Sequence, residues 1–203
     1  MRLYGSFYAF AYALLIAVIW ILPFYSFEGY SHMVNSISEL GAQNVPNDWI
    51  INLAIFLMGF ATFTLATKAY KLRSVQLITL YFFSISFFLT GFFQLAGNEA
   101  NVFHYNYTQD ALHSICSMVM GFAFCLFCLL LIWALKRDKH KLHTSIVIVT
   151  IIVLSYLIFA FPNLKGLFQR ILFMLAFGWL FFAIIKYPLQ EKGKHILKKN
   201  TDH

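Results

Sequence analysis

Long apolar stretches alternate with short polar ones along the whole chain. A transmembrane helix needs about 20 apolar residues to cross the hydrocarbon core of a bilayer. Each stretch is apolar on nearly every side, as is typical of a helix embedded in lipid. The six predicted spans cover residues 7–25, 49–70, 75–95, 112–135, 145–162 and 166–187. The pattern predicts an all-α polytopic membrane protein, with a single transmembrane domain and a basic tail over residues 188–203.

The last two spans are separated only by a short turn. Pro162 and Gly166 lie in it, and both residues typically interrupt helices. One uninterrupted helix of about 40 residues would be roughly 60 Å long, twice the thickness of the core. We therefore expect two antiparallel helices here.

The composition supports a lipid-facing surface. Hydrophobic residues make up 61% of the chain and charged residues 11%, against roughly 25% charged residues in soluble domains. The net charge is +7, but the basic residues are divided among several short segments next to the spans and form no contiguous patch. We therefore expect membrane lipids as partners and no binding to nucleic acid.

The placement of charged residues predicts the membrane topology of the chain. Segments 26–48 and 96–111 contain no Lys or Arg. Lys and Arg concentrate in the segments on the other side and in the tail. Because such residues are retained on the cytoplasmic side, both termini are predicted to be cytoplasmic, in the cell (cytoplasmic) membrane. Lys165 and Arg170 are the two exceptions on the outer side.

Three cysteines lie in the fourth predicted span. Cys125 and Cys128 have C-x-x-C spacing, but Phe and Leu surround them and Cys116 is remote in sequence. A reactive thiol needs a polar or positively charged neighbour that lowers its pKa. We expect inert packing residues, and no cofactor is predicted.

Polar residues gather at the outer ends of the spans. Asp110, His113 and Ser117 have spacings of three and four residues, which place them on one helical face. Asn52, Gln94, His113 and Arg170 are expected at similar depth. If the bundle brings these helices together, the side chains line an outward-facing polar pocket.

The first outer loop is predicted to contain a short helix. Residues 33, 34, 37 and 40 are apolar, Gly41 follows, and Ser36 and Glu39 fit a capping box. This amphipathic helix would lie over the pocket and bring His32 or Glu39 close to His113 or Arg170. An ion pair of Arg170 with Glu39 or Asp110 is expected, because an unpaired cation in a span is unfavourable.

Structural interpretations of the same residues stay open. Asp110 also suits the N-terminal cap of the fourth span, and Glu39 also suits a purely capping role. His113 also fits an interfacial histidine with one hydrogen-bonded neighbour. Arg170 also fits a side chain that extends to the outer headgroups.

Several short segments resemble a known family in their order and spacing. They are Ser36–Gly41, Trp49–Asn52, Gly91–Phe93, Asp110–Ser114 and Gly166–Arg170. Together they resemble the bacterial membrane family called domain of unknown function 998, which implies a multi-span protein without an established reaction. The chain is also distantly similar to the six-span DRAM/Frag/Sfk proteins, which have an I-S-D-x-G segment after the first span. That similarity implies a role in lipid handling and membrane homeostasis.

Three functional hypotheses follow. In the first, the pocket binds a lipid headgroup or small amphiphile: Arg170 pairs with its phosphate or carboxylate, and Asn52, Gln94 and His113 orient it. In the second, the protein is an intramembrane hydrolase or transferase acting on lipid, in which Asp110, His113, Glu39 and His32 act as acid or base or hold a divalent metal. The third is a transporter or a subunit of a complex, with a protein partner or a second copy of the chain.

Overall fold

The structure, a computed structural model, describes residues 2–69, 72–97 and 105–187. All its long elements are helices, and six of them are long and apolar enough to cross a membrane. The predicted all-α fold class is therefore confirmed. The spanning helices are α1 (Arg2–Ile21), α3 (Asp48–Thr67), α4 (Ser74–Phe92), α5 (Tyr107–Ala134), α6 (Asp138–Ala160) and α7 (Lys165–Lys186). A short α2 (Ile37–Leu40) and two 3-10 turns (Leu22–Tyr25 and Pro162–Leu164) complete the described elements. The predicted basic tail lies outside the described residues.

Helices α5 and α6 begin earlier than the apolar pattern indicates, because polar residues form their first turns; α1 also begins earlier, at Arg2. Helix α5 starts at Tyr107, where the side chain of Asn106 accepts a hydrogen bond from the backbone amide of Gln109 at 3.1 Å. Asn106 is therefore the cap of this helix, and the interpretation of Asp110 as its cap is wrong. Helix α6 starts at Asp138, which pairs with Lys141 one turn later at 2.9 Å.

The six spanning helices form a closed ring. Going along the chain, each spanning helix packs against the next one, and α7 returns to pack against α1. The centre of the ring is filled by aromatic side chains from α4, α5 and α7. The ring centroids of Phe87 and Phe177 are 4.7 Å apart, and those of Phe83 and Phe124 are 5.4 Å apart. Such pairs stabilise a core beyond the area they bury.

The two ends of the ring differ in charge. We call one of them the loop end; it comprises residues 22–48, 93–97, 105–110 and 161–166. Its acids are Glu28, Glu39, Asp48 and Asp110. The opposite end, which we call the basic end, comprises residues 67–69, 72–74, 135–141 and 186–187. Its described basic residues are Lys68, Arg73, Lys136, Arg137, Lys139, Lys141 and Lys186, with Asp138 as the acid among them.

Candidate functional site

The first loop, residues 26–47, is hydrogen-bonded to the start of α7. The backbone amides of Gly166 and Leu167 donate to the carbonyl oxygen of Met33 at 2.9 and 3.3 Å. In return, Gln169 Oε1 accepts from the amide of Ile37 at 2.6 Å. The first amides of any helix lack partners within that helix, so the loop supplies acceptors that α7 needs. The predicted short helix in this loop is confirmed as α2, whose Ile37 and Leu40 are buried.

Glu39 organises this loop through both of its carboxylate oxygens. The predicted capping box is present: Ser36 Oγ accepts from the amide of Glu39 at 3.3 Å, and Glu39 Oε2 accepts from the amide of Ser36 at 3.1 Å. Asn35 Nδ2 also donates to Oε2, at 2.7 Å. The other oxygen, Oε1, pairs with Lys165 Nζ at 2.5 Å. A capping role alone therefore does not describe Glu39, because it also joins α2 to α7.

Arg170 is fully buried, and oxygen atoms surround its guanidinium group. Nη1 donates to the carbonyl oxygens of His32, Asn35 and Gly166 at 2.9, 3.0 and 3.0 Å. Nε donates to the carbonyl oxygen of Ile19 at 3.2 Å. Nη2 donates to the hydroxyl oxygen of Tyr30 at 2.8 Å. The backbone of the first loop and of α1 thus replaces water around this cation.

The predicted ion pair of Arg170 is wrong. Among the described residues, no carboxylate lies within 4.0 Å of the Arg170 guanidinium, and Glu39 pairs with Lys165 instead. Lys165 is the first residue of α7, and its ammonium group contacts the Glu39 carboxylate. Backbone carbonyl groups enclose the Arg170 guanidinium instead. The interpretation that Arg170 extends to the headgroups is also wrong, since its side chain is buried.

Tyr30 completes the surroundings of Arg170 as a neutral phenol. Its hydroxyl accepts from Arg170 and donates to the carbonyl oxygen of Ser36 at 2.8 Å. Burial raises the pKa of Tyr30 to about 12, although the positive charge of Arg170 acts in the opposite direction. The phenol therefore stays protonated at neutral pH and leaves the charge of Arg170 uncompensated.

Gly166 allows the close approach of the loop to α7. A Cβ atom at this position would lie 2.2 Å from the carbonyl oxygen of Asn35 and 2.6 Å from that of His32. Both oxygens are acceptors for Arg170. Any side chain here would therefore push the loop away from the guanidinium.

His32 lies beside the Arg170 cluster and not beside His113. Its Nε2 is 3.0 Å from the carbonyl oxygen of Trp20, and the two rings stack with centroids 5.7 Å apart. The guanidinium carbon of Arg170 is 6.0 Å from the centroid of the Trp20 ring. The half-buried His32 therefore borders the buried cation.

His113 belongs to a second cluster. It is 5% exposed, and its Nδ1 lies 3.1 Å from the carbonyl oxygen of Thr90 and 2.8 Å from that of Phe93. Because carbonyl oxygens only accept, Nδ1 carries a proton and donates. Nε2 lies 3.1 Å from Oγ of Ser38 in α2. Ser38 lies in the same Ser36–Gly41 segment as Glu39, but no pattern in the sequence indicated a role for it.

Three predicted site residues hold other chain segments in place. Asp110 accepts from the amide of Ala96 at 2.9 Å and from the Tyr105 hydroxyl at 2.8 Å. Gln94 Nε2 donates to Asp48. Asn52 Nδ2 donates to the carbonyl oxygen of Gly41 at 3.3 Å, and a Cβ at Gly41 would collide with the Asn52 amide.

The predicted joining of Glu39, Asp110, His113 and Arg170 into one cluster is therefore wrong. Glu39 and Arg170 meet around the first loop, His113 faces Ser38, and Asp110 binds the segment after α4. Over residues 2–69, 72–97 and 105–187, no three His, Cys, Asp or Glu side chains lie close enough together to hold a metal ion.

Gln43 also has a structural role that the sequence analysis missed. Its side chain makes two hydrogen bonds with the backbone of Asn106: Nε2 donates to the carbonyl oxygen at 3.1 Å, and Oε1 accepts from the amide at 2.9 Å. The first loop is thereby tied to the start of α5 as well as to α7. A glutamine in a loop carries no periodic signal that would predict such a contact.

A groove is lined by residues of α1, of the turn that follows it and of the start of α3. Its volume is about 370 Å³, and it opens between α1 and α3. Its lining is almost entirely apolar: Ala17, Val18, Ile21, Leu22, Tyr25, Asn47 and Ile50. None of these residues belongs to the predicted site.

These features define a polytopic helical membrane protein whose first loop closes one end of a six-helix ring. The family model described as "Protein of unknown function (DUF998)" matches residues 10–186. The chain belongs to this family, as its resemblance predicted. No curated protein and no solved structure matches it.

Proposed function

We propose that the protein binds the anionic headgroup of a lipid or small amphiphile at its loop end. The observation that carries the proposal is the charge balance in the immediate surroundings of Lys165 and Arg170. Among the described residues, the only carboxylate within 4.0 Å of either cation is that of Glu39, which pairs with Lys165. The cluster therefore has an excess of one positive charge.

The excess positive charge lies within a candidate membrane span, where a nearby negative charge would stabilise it most. Arg170 is fully buried within the candidate span Pro162–Lys186. A charge in a transmembrane helix costs about 2.5–3.5 kcal/mol at the centre of the membrane on insertion scales. Backbone carbonyl dipoles offset part of that cost, and a nearby phosphate or carboxylate would offset more.

Lys165 is the cation that such a ligand would touch. Its side chain is 33% exposed, whereas Arg170 is fully buried. We assign the direct contact to the Lys165 ammonium, with the half-buried His32 at the border of the cluster. The buried Arg170 does not touch the ligand, but its positive charge attracts the anionic headgroup. Asn52, Gln94 and Asp110 maintain the shape of the loop end instead of contacting the ligand.

In this proposal the loop end faces outward and both termini are cytoplasmic, in the cytoplasmic membrane. The described part of the basic end carries seven basic residues and Asp138, and Lys and Arg are enriched on the cytoplasmic side of membrane proteins. The resemblance of the Ser36–Gly41 segment to the I-S-D-x-G segment of the DRAM/Frag/Sfk proteins would imply lipid as the ligand class.

Native mass spectrometry of the purified protein tests the proposal. Samples are titrated with phosphatidylglycerol or with neutral phosphatidylcholine, and bound lipids are counted. We expect one phosphatidylglycerol to bind more tightly than the others, and K165Q to lose it. The control is K141Q, which removes a lysine that also pairs with an acid, but at the basic end. Equal losses in both variants, or no preference for the anionic lipid, would contradict the proposal.

A further inference from the structure

A serine and a histidine from different elements meet at the loop end. Ser38 Oγ in α2 lies 3.1 Å from His113 Nε2 in α5. We propose that they form a nucleophile–base pair that accepts an acyl group from an ester of an amphiphile. The inference rests on the proposed function for its substrate class and adds a reaction to it.

The orientation of the imidazole ring suits a general base. A histidine that activates a serine needs its Nδ1 proton held by an acceptor, so that the lone pair of Nε2 faces the hydroxyl group. In His113 the carbonyl oxygens of Thr90 and Phe93 are those acceptors, at 3.1 and 2.8 Å. The two carbonyls occupy the position that a carboxylate takes in a Ser-His-Asp triad. They also stabilise the imidazolium that forms when Nε2 takes a proton.

Both partners are held in place by their surroundings. Ser38 lies in α2, whose start is fixed by the Ser36–Glu39 capping box and by the hydrogen bond from Ile37 to Gln169. His113 is 5% exposed within α5. Reactive groups need such support, because their geometry must be set before the substrate arrives.

The hydroxyl of Ser38 also differs from threonine hydroxyls inside the helices. Those of Thr62, Thr79 and Thr90 donate to carbonyl oxygens in their own helices, as threonine commonly does in a helix. The Ser38 hydroxyl instead has an imidazole nitrogen as its partner. Ser38 is also half-buried and precedes Glu39, the partner of Lys165. In this proposal the headgroup of the amphiphile contacts Lys165 and its ester linkage reaches Ser38.

The reaction is balanced with water as the final acceptor. Ser38 Oγ attacks the ester carbonyl carbon, and its proton moves to His113 Nε2. The bond from that carbon to the leaving oxygen breaks, and the leaving alcohol takes the proton from Nε2. Water then attacks the acyl-serine, passes its proton through Nε2 to Ser38 Oγ, and releases the carboxylic acid.

An alkyl fluorophosphonate, which phosphonylates activated serines, tests this pair in the full-length protein in nanodiscs. We expect the label at Ser38, mapped by mass spectrometry of the peptides. S38A should lose it, and H113Q should lower the labelling rate about a hundredfold, the lower end of general-base effects. The control is S114A, which removes an exposed serine next to His113 and should leave the rate unchanged. Thermal unfolding of each variant shows whether it is folded.

Three results would overturn the inference: folded wild-type protein that is not labelled at Ser38, unchanged labelling in S38A, or an unchanged rate in folded H113Q. If S38A does not fold, the wild-type mapping and the H113Q rate still decide. The lipid titration distinguishes this failure from that of the proposed function. A protein that retains its phosphatidylglycerol but is not labelled binds lipid without acting on it.

Discussion

The ammonium nitrogen of Lys165 lies 2.5 Å from Oε1 of Glu39 and joins the first residue of α7 to the short helix of the first loop. Both side chains are partly shielded, with 33% and 20% of their surfaces exposed. Partial burial strengthens the attraction between two charges but adds a desolvation cost, and removing one partner of a shielded pair leaves an uncompensated charge, which is costly. The pair therefore supports the loop in a way that an exposed pair does not.

This pair should be measurable by a double-mutant cycle. We expect K165Q and E39Q each to lower the free energy of unfolding by about 1–2 kcal/mol, between the values for exposed and buried pairs. Gln at position 39 retains an oxygen for the capping box, so E39Q reports mainly on charge. The measurement is denaturant unfolding in detergent micelles. The same cycle on Lys141 and Asp138, which are 40% and 95% exposed, should give less than about 0.5 kcal/mol; similar coupling in both cycles would contradict the expectation.

Gly166→Ala should be strongly destabilising. The new methyl group would lie 2.2 Å from the carbonyl oxygen of Asn35 and would displace acceptors of the buried Arg170. We expect a loss of about 2–3 kcal/mol, the upper range for inserting atoms into a packed site. Gly121→Ala is the matched control, because nothing lies within 4 Å of a Cβ in that helix. That variant should be neutral or more stable by up to about 1 kcal/mol. Thermal unfolding of the two variants side by side makes the comparison.

Tyr30 should make the loop sensitive to alkali. Its pKa in the folded protein is about 12, against about 10 in an unfolded chain. A folded-state pKa that is raised means that the native state holds its proton more tightly. The resulting stability is fully present below pH 10 and is lost as the pH rises to 12 and above. The measurement is unfolding of wild-type and Y30F protein between pH 9 and 12. The difference between them should shrink over that range, and a constant difference would argue against the role given to the phenol.

The orientation of the protein can be checked by thiol labelling in intact cells. A cysteine in place of Glu28 or Asn163, both exposed at the loop end, should react with an impermeant reagent. A cysteine in place of the exposed Lys139 at the basic end should react only after the cells are opened. The three native cysteines are first replaced by Ala. Labelling in the reverse order would refute the proposed topology and the outer position of the lipid site.

The native cysteines themselves should be inert. Cys128 is fully buried, Cys125 is half-buried, and none of the three cysteines forms a disulfide. We expect C125A/C128A to fold, with a loss of about 1–2 kcal/mol for the small cavities formed, and to bind lipid as the wild type does. Loss of lipid binding in the folded double variant would instead indicate a functional thiol.

Much of the fold follows from residue patterns that are local in sequence. The six spans, the capping box of α2 and the separation of charge between the two ends depend on short-range periodicity and composition, and the structure contains all three. The predicted starts of α5 and α6 lie too far along the chain, because polar residues form the first turns of these helices, after the cap Asn106 in α5 and from Asp138 in α6.

The site was less predictable, because its main contacts involve the backbone. Arg170 donates to four carbonyl oxygens, and every residue has a carbonyl oxygen, so no pattern of side chains indicates them. Glu39 pairs with Lys165 and not with Arg170 because of where the first loop crosses the start of α7, which the sequence does not indicate. Ser38 was missed for a similar reason: its histidine partner lies 75 positions later in the chain.

The closed ring also has a consequence for how the helices assemble in the membrane. Helix α7 is synthesised after the other five spanning helices, yet the acceptors for Arg170 come from Ile19 and the first loop, which precede it by more than 100 residues. Part of their carbonyl groups therefore lack this partner until α7 packs beside α1. Truncation before α7 would leave both a gap in the ring and a loop without its anchor. The ring is thus closed by the packing of α7 against α1, two helices far apart in the chain.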